Sequence, residues 1–172
     1  MADSPYVVTV TAENFEHLVL EGSRKQPVLV DFWADWCAPC RQLMPILARL
    51  ADEFAGAFIL AKVDTEAEQT LAAHFGIRSL PTVQLFKQGQ PVDQFMGALP
   101  EAQIRDFLSR HIERESDRLV ADALARLAAG DIDTGARIID QARVEDPDNS
   151  RLFIAEVRLE AARGNTTAAA EL

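Results

Sequence analysis

Cys37 and Cys40 are the only cysteines among the 172 residues, and two residues separate them. The apolar run 28–33 precedes the pair and a helix-like segment follows it, so the pattern places Cys37 at the first turn of a helix. Unpaired N–H groups and the positive end of the helix dipole favour a thiolate there, which lowers the pKa of the thiol. We therefore predict that Cys37 is the attacking sulfur of a site for thiol chemistry.

The elements that must position this pair alternate between strand-like and helix-like stretches up to about residue 112. The run 28–33 is typical of a central strand covered on both faces, and Asp31 within it stands where a charge is costly. A mixed sheet with helices on both faces, an α/β fold, is the expected assembly. The predicted strands are 6–10, 28–33, 58–63, 82–86 and 91–96, and the predicted helices are one capped by Thr11, 37–55 with a kink at Pro45, 66–75 and 100–111.

From residue 113 the sequence is helical in pattern, rich in alanine and without strand signals. Gly130 and Gly164 lie 34 residues apart within similar segments, and this period is the tetratricopeptide signature. It predicts helices at about 118–129 and 133–145 and a second repeat from about Ser150, whose last helix is cut off. Because such arrays generally need about three repeats, we expect a fragment of a longer protein. An ordinary helical hairpin with this spacing by chance is the alternative.

Seven segments of the first part resemble the thioredoxin domain in order and spacing. They are 30–34, 36–40, Pro45, 62–64, 76–82, 86–89 and 97–98. The resemblance implies an α/β thioredoxin fold over residues 1–112, followed by all-α tetratricopeptide-like repeats over 113–172. Such a fusion resembles the bacterial chaperedoxins, which hold unfolding proteins and hand them to the chaperonin.

In this chemistry Cys37 attacks a substrate disulfide, and Cys40 then attacks Cys37 to release the reduced product. Cys40 must lose a proton, and the resemblance places Asp31 in the core beneath the pair, where burial raises its pKa and makes it the predicted proton acceptor. Lys62 is implied to pair with Asp31 and modulate its basicity. A simple buried ion pair and a water network that shares the proton are the alternatives.

The resemblance also implies a shallow apolar groove for substrate beside the cysteine pair. Its pattern implies a cis peptide bond between Leu80 and Pro81, with the Leu80 backbone free to pair with an extended substrate strand. Trp33 is assigned to the core rather than to the groove. The predicted substrate-binding residues are Trp36, Ala38, Pro39, Leu80, Pro81, Gly97 and Ala98.

Two positions depart from the usual thioredoxin pattern. Ala38 and Pro39 stand between the cysteines in place of Gly-Pro, and Arg41 replaces the usual lysine. Residues between the cysteines tune the leaving-group pKa and so the reduction potential, which leaves the direction of electron flow open.

Composition argues against several classes of partner and compartment. With 17 basic and 27 acidic residues, the net charge of -10 disfavours nucleic acid and anionic membrane surfaces. No signal peptide or membrane-spanning stretch is evident, which predicts a cytoplasmic protein. In a reducing cytoplasm a lone Cys-x-x-Cys pair is a cycling dithiol rather than a structural bridge.

The remaining candidate ligands do not form a metal site. A structural zinc ion needs about four ligands, and beside the two cysteines the chain offers only His17, His74 and His111, which are scattered over different elements. No glycine-rich phosphate loop is present. We predict no metal and no cofactor.

Two compatible functions follow. The first is a thiol–disulfide oxidoreductase, and the second is a holdase or co-chaperone role of the repeats that protects proteins under oxidative or folding stress. The alternative is a redox-silent scaffold that uses the same fold as a binding surface. Expected partners are disulfide-containing or unfolding client proteins and, by resemblance, a chaperonin, while the part of a thioredoxin reductase as electron donor is left open.

Overall fold

The computed structural model describes residues 4–165. The chain divides between Ile112 and Glu113 into two compact units. Within the described residues, none of the helices is both long enough and apolar enough to cross a membrane. The last helix expected of the second repeat falls largely outside this range.

The first unit is built on a five-stranded sheet of β1 Val7–Thr9, β2 Val28–Trp33, β3 Ile59–Asp64, β4 Thr82–Lys87 and β5 Gln90–Met96. The order of the strands in the sheet is β1-β3-β2-β4-β5. The three strands β1 to β3 run parallel, and β4 and β5 join the edge beside β2 in antiparallel pairs. The predicted mixed sheet is therefore confirmed, with β2 at its centre.

Three α-helices accompany this sheet, namely α1 Ala38–Glu53, α2 Gln69–His74 and α3 Glu101–His111. Helix α1 continues through Pro45. The segment after β1 differs from the expected α-helix, since a π-helical stretch, Glu16–Glu21, is followed there by a 3-10 turn, Gly22–Arg24.

Both faces of the sheet are buried, as the unbroken apolar run of β2 predicts. On one face Leu29 packs with Leu43 and Leu47 of α1 and with residues of α3. On the other face Val30 and Phe32 pack in a separate cluster. Truncating one of these buried leucines to alanine typically costs about 2–5 kcal/mol, so the two clusters fix β2 and with it the start of α1.

Up to residue 165, the second unit contains the helices α4 Glu115–Ala128, α5 Ile132–Glu145 and α6 Leu152–Ala162. Small residues such as Ala123, Ala142 and Ala155 pack at its centre together with Val120, Ile139, Leu152 and Leu159. Helices α4 and α6 end in the same way, each at a glycine with φ of +82° or +83°. At both ends, the glycine N–H donates to the carbonyl oxygen three residues earlier at 3.1 Å. The N–H of the following residue donates to the carbonyl oxygen five residues before it at 2.9 Å.

A buried polar cluster joins the start of α4 to the segment between α5 and α6. The Asn149 side-chain amide donates to Ser116 Oγ and to Asp117 Oδ1, both at 2.9 Å. Ser116 Oγ in turn donates to Asp146 Oδ2, which also pairs with Arg114 at 2.8 Å. The cluster satisfies buried polar groups that would otherwise destabilise the unit.

Candidate functional site

The cysteine pair lies where the chain leaves β2 and begins α1. Cys37 is the N-cap residue of α1, and its sulfur accepts the backbone N–H of Cys40 at 3.2 Å. Pro39 occupies the first turn, where its missing N–H removes no hydrogen bond within the helix. The Cys37 sulfur therefore stands at the positive end of the helix dipole, an environment that stabilises a thiolate.

The two sulfurs are bonded to each other as a disulfide, and their Cα atoms lie 5.3 Å apart. Cys40 is fully buried, whereas Cys37 keeps 3% exposure. Ala38 and Pro39 between them are exposed. Of the two sulfurs, only that of Cys37 belongs to a residue with any exposed surface, which fits its predicted attacking role.

Asp31 is fully buried on β2, and within residues 4–165 neither of its carboxylate oxygens has a hydrogen-bond partner. Burial raises the pKa of Asp31 to about 7, against the lowering effect of the Lys62 charge. Strand alternation places Asp31 on the same face as Leu29, which is the face that α1 covers. A carboxyl group with a pKa near neutrality on this face can accept and return a proton.

Lys62 lies directly opposite Asp31 in the parallel pair of β2 and β3. No hydrogen bond or ion pair within 4.0 Å joins their side chains in the described part of the chain, so the two are strand neighbours rather than the bonded pair that the resemblance implied. Lys62 acts on Asp31 through its charge.

The segment before β4 forms the next wall of the site. The peptide bond between Leu80 and Pro81 is cis, as the resemblance implied. Leu80 packs against the cluster of Ala34, Cys37 and Cys40. Pro81 O accepts the N–H of Gly97 at 2.9 Å.

Gly97 follows the end of β5 with a φ of +83°. A Cβ atom added there would meet nothing within 4 Å, so the backbone conformation and not the space calls for glycine. Ala98 beside it is exposed. The structure thus joins the segments of Leu80, Pro81 and Gly97, and it places Leu80 against the cysteines.

Trp36 has 67% of its surface exposed, directly before Cys37. Its indole Nε1 donates to Glu66 Oε1 at 2.9 Å, a partner that the sequence interpretation missed. Glu66 follows β3, and the carboxyl ends of the parallel strands β2 and β3 meet at one edge of the sheet. That parallel pairing is the signal by which Glu66 could have been found.

Met96, the last residue of β5, was also missed. It lies opposite Thr82 of β4, directly before Gly97, and 59% of its surface is exposed. Its sulfur accepts a hydrogen bond from Ser79 Oγ at 3.5 Å. An exposed thioether therefore stands at the rim formed by the segment before β4 and the end of β5.

Two of the three histidines are engaged in contacts with carboxylates. His17 Nδ1 lies 3.0 Å from Glu21, and His111 Nε2 lies 2.7 Å from Asp93. Within the part of the chain that the structure describes, no three histidine, cysteine, aspartate or glutamate side chains come together as a metal site.

Comparison with known proteins finds a family and relatives for the first unit. The thioredoxin family model matches residues 6–110. Over 106 residues the chain is 42% identical to a thioredoxin of Haemophilus influenzae, a match that covers 62% of this chain and 97% of that protein. Thioredoxin 1 of Synechococcus elongatus is 42% identical over 103 residues, or 60% of this chain and 94% of its own. Thioredoxin C-2 of Corynebacterium nephridii is 40% identical over 109 residues, covering 63% and 99%.

Proposed function

The chain belongs to the thioredoxin family, and from that premise we propose that its first unit is a thiol–disulfide oxidoreductase that reduces disulfides of client proteins. The observation that carries this proposal is the position of the Cys37 sulfur, at the N-cap of α1 and within 3.2 Å of the Cys40 N–H. The reducing cytoplasm is the proposed compartment, because a dithiol can cycle there. A thioredoxin reductase is one candidate for the thiol electron donor.

The proposed reaction begins from the reduced pair. The Cys37 thiolate attacks one sulfur of the substrate disulfide, forms a mixed disulfide and expels the other substrate sulfur as a thiolate. Cys40 then attacks Cys37, which breaks the mixed disulfide and releases the second substrate thiol. Two electrons have passed to the substrate, and the Cys37–Cys40 disulfide seen in the structure is the oxidised product.

Asp31 is the proposed acceptor of the Cys40 proton. Its raised pKa, about 7, lets the carboxylate accept a proton and give it up again near neutral pH. The charge of Lys62 limits that rise and so tunes the exchange. The exposed side chains of Trp36, Ala38 and Pro39, with Leu80, Pro81, Gly97 and Ala98, form the proposed surface for the substrate.

Reduction of insulin disulfides by dithiothreitol tests this function. The full chain should raise the rate well above that of the Cys37→Ser variant, because only the wild type can form the mixed disulfide. A Cys40→Ser variant should instead trap clients on Cys37, and mass spectrometry would identify them. Equal rates for wild type and Cys37→Ser would leave the redox-silent scaffold as the better account.

We further propose that the second unit is the tetratricopeptide-like part of a holdase that binds unfolding clients and delivers them to a chaperonin. The matching ends of α4 and α6, 34 residues apart, support a structural repeat. A groove of about 520 Å³ between α4 and α6, lined by Leu124, Leu127 and Ile154 among others, offers apolar surface to a client.

Light scattering from a heat-unfolded enzyme tests the holding activity. The full chain should suppress scattering more than residues 1–112 do, and Ile154→Glu in the groove should reduce that suppression. Val144→Glu is the matched control, because Val144 is apolar and exposed on α5 but does not line the groove. Equal suppression by the full chain and by residues 1–112 would remove the second unit from the mechanism.

A further inference from the structure

We propose that Met96 is a site of reversible oxidation, and that its sulfoxide weakens the binding of protein substrates beside the cysteine pair. The proposal rests on the reductase function proposed above and adds a regulatory modification to that same site. The oxidant is hydrogen peroxide, and the change is reversed when a dithiol, acting through a methionine sulfoxide reductase, reduces the sulfoxide to the thioether and releases its oxygen as water.

The position of Met96 ties it to the substrate surface through two contacts. Its partner in the sheet, Thr82, follows Pro81 directly, and the residue after Met96 is Gly97, whose N–H donates to Pro81 O. The same segment carries Leu80, which packs against the cysteines. A change at the Met96 sulfur therefore alters the rim of the proposed substrate surface.

The chemistry at this sulfur is a two-electron oxidation. A lone pair of Met96 Sδ attacks one peroxide oxygen, the O–O bond breaks, and water leaves once the second oxygen has taken up a proton. The thioether becomes a sulfoxide while the peroxide is reduced. With 59% of the residue exposed, the oxidant can reach this sulfur without unfolding the protein.

Ser79 makes the oxidised form more favourable at this position. Its hydroxyl already donates to Met96 Sδ at 3.5 Å, although a thioether is a weak acceptor. A sulfoxide oxygen is a much stronger acceptor, so after oxidation the same hydroxyl would donate to that oxygen instead of to the sulfur. Ser79 therefore stabilises the oxidised side chain through a stronger hydrogen bond.

The consequence for a client follows from the polarity of the new group. A protein substrate that covers the Met96 side chain buries apolar surface against the thioether, whereas the sulfoxide is polar and must lose water. Losing the burial of one to two methylene groups lowers affinity by about four- to fifteenfold. A small aromatic disulfide that reaches Cys37 without covering β5 should show a much smaller change.

Peptide mapping after peroxide treatment tests the modification itself. The protein is treated in its disulfide form, so that Cys37 and Cys40 are protected, and the peroxide is then removed. Met96 should be oxidised several-fold faster than Met44, which is half-buried on α1 and serves as the internal control. Equal or slower oxidation of Met96 would overturn the proposal.

Insulin reduction then tests the effect, with each protein compared with its own untreated sample. Treated wild type should lose about four- to fifteenfold in kcat/KM and recover after treatment with methionine sulfoxide reductase and dithiothreitol, which supplies the electrons. Treated Met96→Leu should keep its untreated value, and untreated Met96→Gln should resemble the oxidised wild type. With dithiobis(nitrobenzoate) as substrate the loss should be below about twofold.

The outcomes separate this inference from the function on which it rests. If untreated wild type reduces insulin no faster than Cys37→Ser, the reductase function fails and this inference fails with it. If untreated wild type is active but oxidation of Met96 leaves kcat/KM unchanged, only the regulatory role is refuted. Loss of activity in treated Met96→Leu as well would place the damage elsewhere and refute the role of Met96.

Discussion

Replacing Asp31 by asparagine should make the stability of the first unit much less dependent on pH. In the folded protein the pKa of Asp31 is raised from its ordinary value of 3.8 to about 7, chiefly by burial. Between these two values the folded state holds a proton that the unfolded chain releases. The free energy of unfolding of the wild type must therefore fall as pH rises through this window and level off above it.

The size of the effect follows from the gap between the two pKa values. At about 1.36 kcal/mol for each pKa unit, the gap corresponds to about 4 kcal/mol lost between pH 4 and pH 8. Asp31→Asn has no titrating group at this position, so its free energy of unfolding does not decrease in this way. Its buried amide costs about 1–3 kcal/mol, but that cost is the same at every pH and cancels when the two pH values are compared.

Urea unfolding of the oxidised full chain, followed by tryptophan fluorescence, measures this difference. Both tryptophans of the chain, Trp33 and Trp36, lie in the first unit, so the signal reports on that unit alone. The stability of Asp31→Asn relative to wild type should rise by about 4 kcal/mol from pH 4 to pH 8.

A matched control separates burial from the simple loss of a carboxylate. Asp35→Asn removes an exposed carboxylate near the same cysteines and should change stability by less than about 0.5 kcal/mol. If the relative stability of Asp31→Asn stayed constant within about 1 kcal/mol across this pH range, Asp31 could not be an unpartnered buried carboxyl.

The remaining predictions concern the side-chain hydrogen bonds of three residues. Glu66→Ala frees the Trp36 indole and should raise KM for insulin about two- to fivefold with little change in kcat, since an exposed hydrogen bond contributes about 0.5–1 kcal/mol. Asn149→Ala should destabilise the second unit by about 1–3 kcal/mol in urea unfolding followed by circular dichroism, because it leaves buried polar partners unsatisfied. The hydrogen bond from His111 lowers the pKa of Asp93, so this bond stabilises the folded state above pH 4. That stabilisation is lost as the pH falls further. Asp93→Asn should therefore cost about 0.5 kcal/mol at pH 5 and almost nothing at pH 2.5, since the pair is partly exposed.

Conservative or exposed substitutions provide the controls. Glu66→Gln keeps an acceptor for the indole and should stay near the wild-type KM, so an equal rise in both variants would contradict the positioning role. Asn165→Ala removes an exposed amide from the same unit and should have a small effect. A loss as large as that of Asn149→Ala would count against burial as the cause. For Asp93→Asn, a cost that does not change between pH 5 and pH 2.5 would contradict the assigned hydrogen bond.

The sequence predicts the sheet and the cysteine pair because both depend on local pattern. Long apolar runs determine the strands, and the two-residue spacing with a helix behind it places Cys37 at the N-cap. Such patterns do not identify Glu66 and Met96, because neither residue belongs to a motif. Their roles arise when parallel strands and a hairpin bring separate segments to one edge of the sheet, and only the strand order reveals this.

Local pattern predicts where the helical segment after β1 starts, but not its helical form. Thr11 O accepts the Phe15 N–H at 3.0 Å, and the Asn14 side chain accepts the Thr11 N–H at 2.8 Å, as the third helical residue does for the N-cap in a capping box. The segment that follows is π-helical over Glu16–Glu21. A π-helix is rare, and residue propensities do not distinguish it from an α-helix.

The composition of the charged stretch 113–118 is typical of a linker, which suggests a segment that can be removed. Its middle residues instead supply the hydroxyl and carboxylate that receive the amide of Asn149. A shortened chain that starts at residue 118 would lose the first turn of α4. The buried side-chain amide of Asn149 would then have lost both of these hydrogen-bond acceptors. Dissection of the two units should therefore cut between Ile112 and Glu113.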